Sequence, residues 1–301
     1  MSGAAGKVHI VMAADGAYRK GLEVAKASMV ESCSDPSRLV FHEFGEEPSF
    51  VERMRRDFGT YKGSPMTFLR LYLGELLPDV EWVVYSDVDT LWRRDVLELA
   101  SLRDAGKVVQ WVRDVPTAVW ETLEWCREHG APPGAIAPET YACAGICIIN
   151  LRLWRERGVL SRCLAFAAKY GRPPLADQDL LNCTMEPGEA GMLPPCWDVI
   201  VPSPGVLPRC VLHITGVGRC FKAPYEGKIA QYLYWESIGR GTPFKAPWAP
   251  PFYVRDWMIR LALPFARLPL RFRIRRNLAW RWFVRRELRS ARSERRRGNM
   301  V

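Results

Sequence analysis

Short apolar segments alternate with longer amphipathic segments along the first 170 residues, and this alternation limits the possible folds more than any other feature of the sequence. The short segments are five to eight residues long and rich in Val and Ile, as buried strands are, whereas the longer ones carry apolar residues at helical spacing. Strands are predicted at residues 7–14, 39–44, 82–87, 108–112 and 143–150, and helices at residues 19–32, 50–58, 67–77, 120–129 and 160–170. The pattern predicts an α/β fold in which a doubly wound, mainly parallel sheet is flanked by helices.

Two aspartates, Asp87 and Asp89, follow the apolar, aromatic-rich run at residues 82–85. Inside a regular strand these side chains would point to opposite faces of the sheet, but beyond the strand end both can converge on one hard cation, which prefers oxygen ligands. In doubly wound sheets ligands bind outside the carboxyl ends of the strands, where Asp15 is also expected. The pattern therefore favours a cation and phosphate site over an ordinary solvated turn.

The net charge of +10 is concentrated at the C-terminal end of the sequence. Residues 252–301 contain fifteen arginines, no lysine and three acidic residues, a net charge of +12, which leaves residues 1–251 at −2. A near-neutral body with 48% hydrophobic residues overall predicts a globular core and argues against a nucleic-acid-binding protein.

The nine cysteines are odd in number, scattered and without a Cys-x-x-Cys pair, which predicts a reduced protein. Cys143 and Cys147 are not expected to hold zinc, because no further cysteine lies near them in the sequence. No secretory signal is recognised at the N-terminus, and no apolar segment approaches the ~20 residues that span a bilayer. We therefore expect a cytoplasmic protein.

Six short motifs occur in a fixed order within residues 7–225. They are Ala13-Ala14-Asp15 with Tyr18, the run from Phe68 to Glu75, Tyr85-Ser86-Asp87-Val88-Asp89-Thr90-Leu91, Ala144-Gly145 with Ile148-Ile149-Asn150-Leu151 and Trp154, Asp177-Gln178-Asp179-Leu180-Leu181-Asn182, and His213-Ile214-Thr215-Gly216. Together they resemble the motifs of the retaining family 8 glycosyltransferases, most closely those of the bacterial lipooligosaccharide galactosyl- and glucosyltransferases. The resemblance implies a GT-A-type fold and the transfer of a hexose from a UDP-sugar to a cell-surface glycan or lipid-linked acceptor.

The same resemblance implies a donor site. Asp87, Asp89 and His213 would hold Mn²⁺ or Mg²⁺ against the diphosphate, whose charge as a leaving group a divalent cation stabilises. The positions that would bind the nucleotide-sugar are Ala13, Ala14, Asp15, Tyr18, Arg70, Asp87, Val88, Ala144, Gly145, Gly216, Arg219 and Lys222. The ring of Tyr18 would stack on uracil, and either Arg219 or Lys222 would take the place of the family's phosphate-binding lysine.

The resemblance places the reaction centre at Asp177, Gln178 and Asp179. The two aspartates would contact hydroxyl groups of the donor sugar, and the Gln178 amide would lie near the anomeric carbon. Retention normally suggests a carboxylate nucleophile, but an amide is a poor one, so front-face attack with Gln178 stabilising positive charge is the more economical hypothesis. An aspartate that caps the start of a helix is the structural alternative for this motif.

Three departures from the family pattern keep other functions open. Cys143 stands where the family has an asparagine that contacts the donor sugar, and a thiol is a weaker hydrogen-bond partner. Ala17 replaces another asparagine of the family, and the segment that follows His213 differs from the family's pattern around its phosphate-binding lysine. A catalytically weak carbohydrate- or nucleotide-binding relative is therefore the alternative, whereas a nucleotidylyltransferase would need a glycine-rich phosphate loop that the sequence lacks after its first strand.

The C-terminal residues predict a membrane-associating tail. We expect residues 1–250 to form the glycosyltransferase domain and residues 251–301 to form the tail, with no nucleic-acid partner. Pro264 and Pro269 interrupt its first half, and a helix is predicted from Asn277. Its apolar side consists of Trp280, Phe283, Val284, Leu288 and Ala291, and its basic side of Arg281, Arg285, Arg289 and Arg292. This pattern is typical of an interfacial helix on an anionic surface, here the inner face of the plasma membrane, although a helix docked on the domain is the alternative.

Overall fold

A mixed six-stranded sheet and a smaller three-stranded sheet form the centre of the fold in the computed structural model of the chain, which describes residues 6–114, 116–134, 136, 139–200 and 211–213. The strands are β1 (Val8–Ala13), β2 (Leu39–Phe44), β3 (Trp82–Ser86), β4 (Thr90–Trp92), β5 (Val109–Arg113), β6 (Ala142–Asn150), β7 (Ala190–Met192), β8 (Val199–Ile200) and β9 (Val211–His213). The large sheet has the order β2-β1-β3-β6-β5-β7, and the small one has the order β4-β9-β8.

Strand β6 gives the large sheet its mixed character. Strand β1 pairs in parallel with both β2 and β3, and β5 pairs in parallel with β7. Strand β6 instead runs antiparallel to β3 and β5. The predicted α/β fold is confirmed, with this one strand reversed. Because of the reversal, the first residues of β6 lie at the same edge of the sheet as the last residues of β1, β3 and β5.

Helices cover both faces of the large sheet. They are α1 (Arg19–Ser32), α2 (Pro48–Phe58), α3 (Leu73–Leu76), α4 (Val96–Ser101), α5 (Pro116–His129), α6 (Leu151–Glu156), α7 (Val159–Tyr170) and α8 (Asp177–Thr184). One core packs α1 and α4 against β1 and β6, with Leu22, Ala25 and Met29 of α1 buried at helical spacing. The core on the other face takes its apolar side chains from α2, α6, α7 and α8.

The segment predicted as one helix at residues 67–77 differs in the structure. It forms a 3₁₀ helix, Met66–Tyr72, followed by the short helix α3. Six of the seven 3₁₀ residues are buried, so the segment is covered on nearly every side rather than amphipathic. The short elements β4, α4 and α6 were not predicted, because three to six residues carry too little periodicity to be recognised.

Several of the residues predicted from the sequence lie outside the part of the chain that the structure describes. Gly216, Arg219, Lys222 and the tail at residues 251–301 lie outside the described residues. Among the residues that the structure describes, no helix is both long and apolar enough to cross a membrane.

Candidate active site

A cavity of about 490 Å³ opens at the edge of the sheet where β1, β3 and β5 end and β6 begins. Its volume lies in the range of small-molecule binding sites. Most of the residues predicted for the site line it, namely Ala13, Ala14, Asp15, Tyr18, Arg70, Asp87, Val88, Asp89, Ala144, Gly145, Asp177, Gln178 and His213. The structure therefore brings most of the predicted residues together at one cavity.

Asp87, Asp89 and His213 converge at one point on the cavity wall. The Nε2 atom of His213 lies 3.2 Å from Asp89 Oδ1 and 3.6 Å from Asp87 Oδ2, and one ligand atom from each of the three residues falls within 4.8 Å of the others. The small sheet causes this convergence, because Thr90 of β4 pairs directly with His213 of β9. Two carboxylates and one imidazole nitrogen form a donor set that suits Mn²⁺ and is acceptable to Mg²⁺.

The imidazole of His213 is fixed from behind by Asp198, which precedes β8. Asp198 Oδ1 accepts a hydrogen bond from His213 Nδ1 at 2.9 Å, and the Asp198 side chain is fully buried. Although burial acts to lower the pKa of His213, the carboxylates of Asp198 and Asp89 hold it well above its ordinary value. With Nδ1 bound to Asp198, Nε2 is the nitrogen that faces the acidic pair, an arrangement common to histidines that ligate metals.

Gly145 allows the imidazole to reach this position. A Cβ atom built on Gly145 would overlap the ring of His213, so no larger residue fits here without displacing it. The carbonyl oxygen of Gly145 also accepts a hydrogen bond from the backbone N–H of Asp87 at 2.7 Å, which holds the turn that carries the acidic pair. The Ala144-Gly145 motif is thus explained by close approach of β6 to both metal-ligand candidates.

Arg70 connects the acidic pair to the predicted reaction centre. Its guanidinium pairs with Asp87 Oδ1 at 2.7 Å and with Asp177 Oδ2 at 2.5 Å, donates to the Ala144 carbonyl, and lies over the ring of Tyr85. Desolvation raises the pKa of Asp87 to about 6, although the Arg70 charge acts in the opposite direction. The residue predicted to bind phosphate and sugar is therefore also the centre of a buried ion-pair cluster.

Gln178 is held in one orientation at the cavity wall. Its Nε2 donates to Asp114 Oδ2 at 2.7 Å and to the Tyr141 hydroxyl at 3.0 Å, while its Oε1 accepts the backbone N–H of Ala144 at 3.1 Å. These contacts come from the end of β5, the loop before β6 and β6 itself. Because both amide ends are engaged, the side chain cannot rotate freely.

Asp179 occupies a different position from Asp177 and Gln178. Its carboxylate is fully buried and accepts hydrogen bonds from Thr122 Oγ1, from the Tyr141 hydroxyl and from the Leu175 backbone N–H. It therefore ties the start of α8 to α5 beneath the cavity. These contacts give the residue a positioning role, and its contact with the donor sugar stays a prediction.

The turn before α8 has a strained backbone. Ala176 adopts a φ of 54° and a ψ of −119°, a region that glycine usually occupies. The Leu175 N–H bonded to Asp179 and the Thr67 hydroxyl bonded to Asp177 at 2.9 Å hold the residues on either side of it. This turn directs Asp177 and Gln178 into the cavity.

Asp15 and Tyr18 lie together at the end of β1, as predicted. The backbone N–H of Tyr18 donates to Asp15 Oδ1 at 3.2 Å and to the Asp15 carbonyl at 3.0 Å, so Asp15 closes the turn that leads into α1. Both residues line the cavity. The half-buried ring of Tyr18 packs partly against the core.

Three residues of this site were not predicted from the sequence. Asp114 follows β5 in the same way that Asp87 follows β3, so the strand-end argument could have found it. Tyr141 and Asp198 carry no such signal, because each is recognised only by the side chain that it contacts in the fold. Cys143, noted only as a departure, lies with its Sγ 3.7 Å from His213 Nδ1.

Comparison with known proteins identifies the family. The sequence model described as Glycosyl transferase family 8 matches residues 53–204, half of the chain. The chain belongs to this family. The matched region contains the acidic pair, the β6 motif and the Asp177-Gln178-Asp179 motif, and thus most of the cavity wall described above.

Individual relatives are distant. A zebrafish protein named Glycosyltransferase 8 domain-containing protein 1 is 24% identical over 249 residues, which cover 74% of this chain and 62% of that protein. A Haemophilus influenzae relative is 29% identical over 119 residues, covering 38% of this chain and 34% of its own length. The crystal structure of galactosyltransferase LgtC with donor and acceptor sugar analogues superposes with a TM-score of 0.55 at 20% identity, covering 77% of this chain and 100% of that one. The last comparison shows the same fold.

Proposed function

We propose that this protein is a metal-dependent, retaining hexosyltransferase that moves galactose or glucose from a UDP-sugar to a cell-surface glycan or lipid-linked acceptor. The observation that carries the proposal is the convergence of Asp87, Asp89 and His213 Nε2 on one point of a cavity that Asp15 and Tyr18 also line. A cation bound there would neutralise a diphosphate leaving group. Membership of family 8 supports this assignment.

The protein groups around the cavity then have distinct roles. Asp15 and Tyr18 bind the nucleoside, and Asp177, ion-paired with Arg70, faces the hydroxyl groups of the sugar. Gln178 acts on positive charge that develops at the anomeric carbon. Its amide nitrogen is occupied by Asp114 and the Tyr141 hydroxyl, so the partially negative Oε1 is the end with a remaining lone pair. Because an amide oxygen is a poor nucleophile, we assign Gln178 to charge stabilisation rather than to nucleophilic attack.

The proposal is tested by UDP release from a panel of donors, UDP-galactose, UDP-glucose and their N-acetyl forms, with Mn²⁺, with Mg²⁺ and with EDTA. We expect release with one or two donors, only in the presence of metal. Asp87→Asn should abolish it, because the cation loses one of three ligands. Asp79→Asn is the matched control, since Asp79 lies in an exposed turn outside the cavity.

Two results would contradict the proposal. Release that persists in EDTA would exclude the metal-dependent mechanism. Donor binding without release from any of the four sugars, in the presence of acceptors, would favour the catalytically weak relative. The product anomer, followed by NMR during the first turnover, tests retention separately, and an inverted product would remove the role of Gln178.

We further propose that residues 252–301 hold the enzyme at the inner face of the plasma membrane. The support is the net charge of +12 in this segment and its interleaved aromatic residues. Full-length protein should sediment with anionic vesicles at low salt and be released by high salt. A variant with glutamine at four tail positions should sediment less, namely Arg281, Arg285, Arg289 and Arg292. Equal sedimentation of this variant and the unaltered chain would refute the proposal.

A further inference from the structure

A second group of potential metal ligands lies behind His213, on the side away from the acidic pair. It consists of Cys143 Sγ, an Asp198 carboxylate oxygen and His213 Nδ1, all buried and all within 4.8 Å of one another. No sequence pattern predicts this group, because the three residues are separated by 55 and 15 positions and belong to different strands or loops. We propose that these three residues form an inner site for a thiophilic divalent cation such as Zn²⁺, distinct from the site at Asp87 and Asp89.

The distances fit tetrahedral coordination. With zinc bonds of usual length, a tetrahedral site separates a nitrogen and an oxygen ligand by about 3.4 Å and a nitrogen and a sulfur ligand by about 3.6 Å. Here His213 Nδ1 lies 2.9 Å from Asp198 Oδ1 and 3.7 Å from Cys143 Sγ. Only the Asp198 and His213 side chains would need to separate, by about half an ångström, to admit the ion.

The carboxylate of Asp198 has an oxygen that a cation in this site could satisfy. Within the described part of the chain, Asp198 Oδ2 is buried and has no hydrogen-bond partner. An unpaired carboxylate oxygen of this kind is costly unless a cation or water satisfies it. Cys143 and His213 both line the cavity, so an ion can enter from that side. Burial and the nearby Asp198 charge raise the pKa of the Cys143 thiol well above its ordinary value, so the cation must displace its proton.

A cation in the inner site prevents His213 from binding a cation in the outer site, which is the one formed with Asp87 and Asp89. A neutral imidazole offers one lone pair and carries one N–H. A cation on Nδ1 therefore leaves the proton on Nε2, which faces Asp89 at 3.2 Å. Cation binding releases the thiol proton, the single imidazole proton moves from Nδ1 to Nε2 by way of solvent, and no electrons are exchanged. Because His213 can then no longer bind a cation through Nε2, the inner cation antagonises the outer one. This antagonism of catalysis rests on the proposed function, whereas binding at the inner site does not.

Co²⁺ titration of the reduced full-length protein tests binding without reference to activity. Co²⁺ bound by a thiolate produces near-ultraviolet charge-transfer absorption, which we expect at one equivalent per chain and expect Zn²⁺ to abolish. Cys143→Ser should lose the absorption. Cys163→Ser is the matched control, because Cys163 is equally buried but contacts Thr184, and it should keep the absorption. Absence of the band in the unaltered protein, or its persistence in Cys143→Ser, would overturn the inner site.

A second variant guards against a folding defect. Asp198→Asn keeps the thiol and the approximate shape but removes the anionic ligand, so it should weaken Co²⁺ binding by at least about tenfold. Circular dichroism identifies any variant that fails to fold. If UDP release is observed, Zn²⁺ should inhibit it, and Cys143→Ser should be at least about tenfold less sensitive relative to its own activity. Equal Zn²⁺ sensitivity would place inhibition at Asp87 and Asp89 and refute the antagonism.

Discussion

Replacement of Arg70 by methionine should destabilise the protein strongly in the absence of metal. Arg70 is 4% exposed and forms ion pairs of 2.7 Å with Asp87 and 2.5 Å with Asp177. Methionine fills much of the same volume but leaves these carboxylates without their cation. Removal of one partner from a buried ion pair costs about 3–5 kcal/mol. A chain of this size loses about 2–4 °C per kcal/mol, so the melting temperature should fall by roughly 6–20 °C.

Thermal unfolding followed by circular dichroism in EDTA measures this effect. Arg53→Met is the matched control, because Arg53 pairs with Glu75 at 2.7 Å but is 38% exposed, and an exposed pair contributes only about 0–1 kcal/mol. Adding Asp177→Asn to Arg70→Met should restore part of the lost stability, since one uncompensated charge is removed. Two results would refute this reasoning. One is a melting temperature of Arg70→Met equal to that of Arg53→Met. The other is a stability loss in the double variant equal to the sum of the losses in the two single variants.

Three further predictions concern individual groups of the site. Gln178→Ala should lower turnover by about 100-fold or more with little change in donor KM, and Gln178→Glu should be better tolerated. Asp179→Ala should instead lower the free energy of unfolding by about 1–3 kcal/mol. If the two alanine variants lowered stability equally, this division of roles would be contradicted. Gly145→Ala should weaken Mn²⁺ binding at least about tenfold in calorimetry, because the added Cβ displaces His213, and unchanged affinity would refute that contact. Mn²⁺ affinity should fall as the pH is lowered through about 6, because the raised pKa of Asp87 lets protons compete with the cation, and an affinity that does not change across this pH would contradict that competition.

Much of the fold could be predicted because the sequence contains strong local signals. The apolar segments gave the strands, and the boundaries of α1 and β2 agree with the prediction at both ends. The strand-end argument placed Asp15, Asp87 and Asp89 at one cavity because it depends only on chain direction within a sheet. Motif order added His213 and Gln178, which no local pattern would have singled out.

The direction of β6 and the supporting residues could not be predicted, for physical reasons. All nine residues of β6 are buried and only the last, Asn150, is polar, so the composition of the strand does not distinguish a parallel from an antiparallel neighbour. Asp198 and Tyr141 act through partners that only the folded chain brings near them. The contacts of Asp179 could not be predicted for the same reason, because its three hydrogen-bond donors come from segments distant in sequence or from a turn of unusual backbone conformation.

We propose that Asp87, Asp89 and His213 hold one divalent cation that binds together with the nucleotide. Electron paramagnetic resonance of Mn²⁺ titrated into the full-length protein, with and without UDP, measures this directly. The account predicts one bound Mn²⁺ per chain, tighter binding when UDP is present, and loss of this site in Asp89→Asn but not in Asp79→Asn. An Mn²⁺ affinity that is unaffected by UDP, or that is unchanged in Asp89→Asn, would contradict this proposal.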